Sequence, residues 1–131
     1  MKISTVLLIA LVSLPVLFSC KKDKDKPTIT PTIEGRWEGS YINAASQNSF
    51  YYSFNIKAGG VFEEIGSNGQ KLGEGTWSME NNILTAHYAY PNGNEYTVIA
   101  AYYKDQAKLL GDWGYDNSGT DGGTFEMDKK N

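Results

Sequence analysis

The chain has 131 residues and a single cysteine, Cys20. From Pro27 onward it contains seven lysines and arginines against thirteen aspartates and glutamates, a net charge of −6. Nucleic-acid-binding domains carry a basic surface, so this acidic balance excludes that class of partner. The length beyond Pro27 suits one domain with one core, and no disulfide is available to stabilise it.

The first twenty residues have the composition of an export signal. Lys2 supplies a positive charge, Val6–Phe18 is apolar, and the small Ser19 precedes Cys20, as in a secretory signal peptide. The apolar run is shorter than the roughly 20 residues of a membrane-spanning helix. The segment ending at Cys20 resembles the lipobox of bacterial lipoproteins, in which the chain is cut before the cysteine and that cysteine carries lipid. The alternative is a plain secreted protein with an incidental cysteine.

This resemblance implies a three-part organisation. Residues 1–19 are the signal peptide, and residues 20–32 are a charged, Pro- and Thr-rich tether that we expect to be disordered. Residues 33–131 form the folded domain. A lipidated Cys20 implies attachment to a membrane of the bacterial cell envelope, and we expect the outer membrane, on its periplasmic or surface-facing side.

Apolar and polar residues alternate along eight segments of the domain. The clearest is the second, where Phe50, Tyr52, Phe54 and Ile56 alternate with more polar neighbours, the period of a half-buried strand. No segment has helical spacing over more than two turns, so we predict an all-β fold. The predicted strands are Ile33–Ile42, Phe50–Lys57, Val61–Ile65, Lys71–Met79, Ile83–Tyr90, Glu95–Tyr103, Lys108–Tyr115 and Thr124–Asp128.

The short connections between these strands favour an antiparallel up-and-down eight-stranded β-barrel over a sandwich. Every connection is short enough for a hairpin, and Asn68-Gly69 is a strong hairpin signal, since both turn positions of the preferred turn need positive φ. Closing the meander would also remove its two edge strands. Eight strands enclose room for packed side chains or one small ligand.

Several short motifs resemble bacterial lipocalin-like lipoproteins. Gly35-Arg36-Trp37 resembles the G-x-W signature that opens lipocalins and related calycin barrels. Gly75–Met79 and the end of the chain, Gly111–Trp113 with Gly123–Lys129, resemble later parts of the same group. The resemblance implies a lipocalin-like barrel with Trp37 plugging its closed end. The chain is shorter than typical lipocalins, and Lys129 stands where they place an arginine on that tryptophan.

Neither catalysis nor metal binding has a convincing set of residues. His87 is the only histidine and is predicted to face outward from its strand. The acidic pairs Glu34/Glu38 and Glu63-Glu64 are expected to be solvated charges, and the loop Asp116–Gly122 lacks the pattern of a calcium site. We therefore predict that the protein is not an enzyme and has no cofactor or metal.

Aromatic side chains on one face of the strands remain as a candidate site. In a packed barrel they are core residues, and in an open one they line an apolar pocket of the kind that ligand sites use. The leading hypothesis is a lipid-anchored barrel that binds a small apolar or aromatic ligand. The alternative is a packed-barrel lipoprotein that contacts a protein or glycan. The candidate ligand-binding residues are Tyr52, Phe54, Trp77, Tyr88 and Trp113.

Overall fold

The computed structural model describes residues 32–131, and these form a closed barrel of eight antiparallel strands in chain order. One short 3₁₀ helix, Lys104–Gln106, lies between β6 and β7. The predicted all-β, up-and-down eight-stranded β-barrel is confirmed. The strands are β1 Gly35–Asn43, β2 Ser49–Lys57, β3 Val61–Ile65, β4 Lys71–Glu80, β5 Ile83–Ala89, β6 Glu95–Tyr103, β7 Lys108–Tyr115 and β8 Gly123–Lys129.

The predicted signal peptide, Cys20 and most of the predicted tether lie outside the described residues. Within residues 32–131, no helix is both long and apolar enough to span a membrane.

Pairing of the first and last strands closes the barrel. β1 pairs with β8 from Trp37 opposite Lys129 to Asn43 opposite Gly123, and each other strand pairs with its two neighbours in sequence. The two separate sheets of a sandwich are therefore absent from residues 32–131. Because every strand is paired on both sides and the core lies inside the ring, we expect residues 32–131 to fold on their own.

The hairpin turns divide the barrel into two ends. Residues 44–48, 66–70, 90–94 and 116–122 lie at what we call the open end, and residues 58–60, 81–82 and 104–107 lie at the closed end. Two turns of the closed end have consecutive positive φ angles, Gly59-Gly60 at 80° and 79° and Asn81-Asn82 at 51° and 60°. The expectation for Asn68-Gly69 was wrong in this respect, since only Gly69 has positive φ there, within a longer loop between Gly66 and Gln70.

The closed end is packed around Trp37. This side chain has no exposed surface, and its indole N–H donates to the carbonyl oxygen of Ile33 at 2.7 Å. The ring of Tyr102 meets it edge-on at 5.8 Å between centroids, and Lys129 Nζ lies 5.9 Å from the Trp37 ring centroid. Lys129 thus provides the cation over this tryptophan. Trp37 plugs the end of the barrel at which the described chain begins.

Candidate ligand-binding site

A cavity of about 150 Å³ opens at the other end of the barrel. We call it the cup. Seven of its nine lining residues are aromatic, one is a carboxylic acid and one is an amide. The lining residues are Tyr41, Asn43, Tyr52, Glu64, Tyr88, Tyr90, Tyr96, Trp113 and Tyr115.

The direction of each strand explains why these side chains meet. β1, β3, β5 and β7 run toward the open end, whereas β2, β4, β6 and β8 start from it. Residues late in the first group and early in the second therefore lie at the same height. Tyr41, Glu64, Tyr88 and Trp113 come from strand ends, and Tyr96 comes from a strand beginning.

The aromatic walls of the cup form a connected series of ring contacts. Tyr41 packs edge-on against both Tyr52 and Trp113, with centroids 4.9 and 5.2 Å apart. On the opposite side, Tyr96 packs against Tyr90 at 5.1 Å and against Tyr88 at 5.6 Å. Most of these rings are inclined to one another, so they surround the cavity instead of stacking across it.

Below the cup the barrel is solid. Phe54 and Phe62 have no exposed surface, and their ring centroids are 4.6 Å apart. Phe54 packs under Tyr52 at 4.5 Å, and Phe62 packs under Tyr88 at 5.2 Å. The two phenylalanines thus separate the cup from the core of the closed end.

Among residues 32–131, Glu64 is the only side chain of a formally charged type that lines the cup. It is 6% exposed, and the hydroxyl of Tyr90 donates to its Oε1 at 2.9 Å. The hydroxyl oxygens of Tyr88 and Tyr52 are 2.7 Å apart, and either can be the donor of that hydrogen bond. The phenol hydroxyls at the cup thus bond to the carboxyl of Glu64 and to each other.

Burial sets the ionisation properties of the cup. It raises the pKa of the Glu64 carboxyl, and the nearby hydroxyls of Tyr88 and Tyr90 lower that pKa by less. Burial, together with the charge of Glu64, raises the pKa of Tyr52, Tyr88 and Tyr90. These three tyrosines are therefore neutral at physiological pH and can donate hydrogen bonds.

The expectation that Glu63 and Glu64 are both solvated charges was wrong, since Glu63 is 7% exposed and Glu64 is 6% exposed. Alternation along β3 places Phe62 and Glu64 on the inner face, opposite Ile56 and Phe54 of β2. Glu63 points outward, where its Oε1 is 2.6 Å from Lys57 Nζ and its Oε2 is 3.6 Å from Lys71 Nζ. The two adjacent glutamates are thus equally covered but lie on opposite faces of the barrel wall, and within residues 32–131 only Glu63 pairs with lysines.

Three of the five predicted site residues meet in the cup, namely Tyr52, Tyr88 and Trp113. Phe54 lies beneath them in the core. Trp77 lies toward the closed end, where its indole N–H donates to the carbonyl oxygen of Lys57 at 2.7 Å. Its position in the alternation is the inner one, and it packs against the core cluster, but at the wrong height to line the cavity.

The remaining cup residues were missed by sequence reasoning. Tyr41 had the inward position in the predicted alternation, and Glu64 shares the face of Phe62. Tyr90, Tyr96 and Tyr115 stand next to predicted turns. A search for inward positions close to the turns of one barrel end would have found most of them.

The other polar residues considered as candidate sites form hydrogen bonds with neighbouring parts of the barrel. His87 lies half-buried on the outer face, with Nδ1 2.9 Å from the hydroxyl oxygen of Thr97. In the loop after β7, Asp121 accepts the backbone N–H of Tyr115 at 2.8 Å. Among residues 32–131, no three His, Cys, Asp or Glu side chains are grouped so as to hold a metal ion.

Comparison of the chain with protein-family models, with curated proteins and with solved structures found no match.

Proposed function

We propose that this protein is a lipid-anchored binding protein of the bacterial cell envelope, and that it holds a small aromatic or apolar group in the cup. The observation that carries the proposal is the combination of a cavity, seven aromatic walls and one buried acid at the barrel mouth. Ligand sites typically combine apolar and aromatic walls with a few converging polar groups. Binding, and not catalysis, is the function that such a set of side chains supports.

The volume of the cup limits what can enter. Engineered cavities of about 150 Å³ bind benzene, whereas sites for drug-sized ligands are typically at least about 300 Å³. The cup therefore suits a group of roughly the size of one benzene ring. A larger ligand would place one end in the cup and leave the rest outside the barrel.

The proposed lipid anchor gives the cup an orientation. The described chain begins at Thr32, whose carbonyl oxygen accepts from Lys129 Nζ, and Ile33 contacts Trp37 at the closed end. The twelve residues between Cys20 and Ile33 have a flexible reach of about 20 Å. An anchor at Cys20 would hold the closed end nearer the membrane, with the cup facing away from it.

The three tryptophans make ligand binding testable with an internal control. Trp113 lines the cup, whereas Trp37 and Trp77 lie toward the closed end. Titrating residues 32–131 with benzyl alcohol should shift the indole N–H NMR signal of Trp113 and leave the other two unchanged. Equal shifts at all three tryptophans, or none at Trp113, would refute binding in the cup.

The lipid anchor is tested separately in cells. Changing Cys20 to Ala should move the full-length protein from the membrane fraction to the soluble fraction and leave the signal peptide uncleaved or differently cleaved. Retention of the Cys20→Ala protein in membranes after a carbonate wash would refute the anchor.

The solid core below the cup favours the second candidate, a packed-barrel lipoprotein that contacts a protein or glycan through its surface. For this function the cup would be too shallow to retain a ligand. Native mass spectrometry of the protein purified from its own cells separates the two. A co-purifying small molecule supports the binding protein, and repeated preparations without one support the interaction protein.

A further inference from the structure

Glu64 brings a carboxyl group to the cup, and within residues 32–131 this carboxyl has no cationic partner. Its side chain is 6% exposed, and none of the ion pairs within residues 32–131 involves it. The adjacent Glu63, by contrast, pairs with both Lys57 and Lys71. Buried carboxylates are costly unless they are both paired and hydrogen-bonded. Hydrogen bonding is present at Glu64, and the countercharge is the missing component.

The phenol hydroxyls of the cup are arranged to support an ionised carboxylate. The Tyr90 hydroxyl donates to Glu64 Oε1 at 2.9 Å, and the hydroxyls of Tyr52 and Tyr88 are hydrogen-bonded to each other. Hydrogen bonds to an ionised acceptor are shorter and stronger than those between neutral groups. This network would fix the carboxylate in place beside whatever occupies the cavity.

The walls around Glu64 favour a cation as well. The faces of tyrosine and tryptophan rings attract ammonium groups within about 6 Å of the ring centroid, and cages of such rings recognise quaternary ammonium ions. Tyr41, Tyr96, Trp113 and Tyr115 surround the cavity, and no Lys, Arg or His lines it. An anionic ligand would meet only Glu64 and the net negative charge of the domain.

A metal ion would not be held well by this set of groups. Calcium takes six to eight oxygen ligands, mainly from carboxylates, carbonyls and water, whereas the cup supplies one carboxyl group, the Asn43 amide and neutral phenols. Residues 32–131 bring no second acid to this cavity. The charge and the aromatic walls together specify an organic cation.

We propose that the cup binds an organic ammonium head group, with Glu64 as its counterion and the tyrosine and tryptophan rings as its walls. This proposal rests on the proposed binding function and deepens it by naming the charge of the ligand. A cavity of about 150 Å³ accommodates a methylated ammonium group. The rest of the ligand extends through the open mouth.

The matched probes are choline and its neutral isostere, 3,3-dimethylbutan-1-ol. In this isostere a tert-butyl group replaces the trimethylammonium group of choline. Isothermal titration of residues 32–131 should give choline a dissociation constant at least about tenfold lower than that of the isostere. Equal affinities would overturn the cationic preference and leave the proposed binding function standing. Failure of choline, the isostere and benzyl alcohol alike would overturn both.

The two adjacent glutamates provide a matched pair of variants. Glu64→Gln keeps the shape and removes the charge, and should weaken choline binding at least about tenfold while leaving the isostere unchanged. Glu63→Gln removes the same charge from the outer face and should change neither affinity by more than about twofold. Equal effects of both variants on choline would mean that only the overall charge of the domain matters, contradicting the proposal.

A second variant tests the proposal even if the Glu64→Gln protein does not fold. Tyr96→Leu replaces an electron-rich wall by an apolar one, and should weaken choline more than the isostere. Unchanged indole N–H signals of Trp37 and Trp77 check that the barrel is intact. Equal loss of both ligands in Tyr96→Leu would indicate lost packing and contradict a cation-binding wall.

An ammonium group can be free or carried by a lipid, and vesicles distinguish the two sources. Wild-type barrel sedimenting with phosphatidylcholine vesicles, with Glu64→Gln remaining in solution, identifies a lipid head group. Choline binding without sedimentation identifies a free ammonium compound. Sedimentation of both proteins alike would show attachment outside the cup and contradict the role of Glu64.

Discussion

At the scale of single residues, Glu63 and Glu64 are adjacent on β3 and have pKa values shifted in opposite directions. The hydrogen bond from Lys57 lowers the pKa of Glu63, with the charges of Lys57 and Lys71 adding to it. Burial raises the pKa of Glu64. Ionisation of Glu63 is therefore coupled favourably to folding, whereas ionisation of Glu64 opposes folding.

These opposite shifts predict opposite pH dependences of stability. The folded-state pKa of Glu64 lies above its usual value of 4.5, so its folded state binds the proton more tightly than the unfolded state. The stabilising effect of that proton is present below pH 4.5 and is lost as the pH rises through the higher folded pKa. Relative to wild type, Glu64→Gln should therefore become more stable as the pH increases.

Glu63→Gln should show the reverse trend. Glu63 stabilises the folded state above its usual pKa of 4.5, and this contribution is lost as the pH falls through the lower folded pKa. Removing it should cost up to about 1 kcal/mol near neutral pH, as for other ion pairs with a solvated partner. Urea unfolding of the three proteins at acidic and neutral pH checks both signs, and parallel pH profiles would contradict this assignment.

At the scale of the elements, alternation predicted most strands because inner and outer faces differ strongly in hydrophobicity. β3, β6 and β7 have the predicted bounds, and the others differ by one or two residues at their ends. Alternation predicts whether a side chain faces inward, but it does not predict the position of that side chain along the barrel axis. Trp77 and Trp113 are both inward residues, yet only Trp113 reaches the cup, because the stagger of paired strands sets height only after the barrel closes.

The close pairing of β4 with β5 depends on a glycine opposite a cup residue. Gly75 lies opposite Tyr88, and a Cβ at Gly75 would collide with the carbonyl oxygen of His87 and lie 2.6 Å from the Tyr88 Cα. These are backbone atoms that cannot rotate away. Gly75→Ala should lower the free energy of unfolding by about 1–3 kcal/mol, the usual cost of overpacking, and displace Tyr88.

Gly66→Ala is the matched control for this substitution. Its Cβ would meet the side chains of Asn68 and Leu72 at 3.0 Å or more, and both can adjust. Chemical denaturation should show a clearly smaller loss than for Gly75→Ala. Equal losses would mean that the approach of β5 to β4 is not the constraint.

At the scale of the whole molecule, the barrel divides into a packed half and an open half. Trp37, Phe54 and Phe62 fill the packed half without exposed surface, whereas the rings around the cup border an empty volume. The packed half therefore contributes most of the folding free energy, and the side chains around the cup contribute less. A buried charge at Glu64 is tolerated in such an arrangement.

This division predicts unequal costs for two tryptophan truncations. Trp37→Ala removes a fully packed ring and should cost about 3–5 kcal/mol of unfolding free energy. Trp113→Ala enlarges an existing cavity and should cost less, because one side of that ring already lacks packing partners. Denaturant unfolding of both variants measures the difference, and an equal or larger loss for Trp113→Ala would contradict the division.

A crystal structure of residues 32–131 with benzyltrimethylammonium would show whether the cup receives a cationic head group. This probe offers both an ammonium group and an aromatic ring to the same site. We predict density in the cup, with the ammonium group beside Glu64 and within about 6 Å of the surrounding ring centroids. Density confined to the outer face of the barrel, or the benzyl ring seated in the cup with the ammonium group in solvent, would contradict the claim.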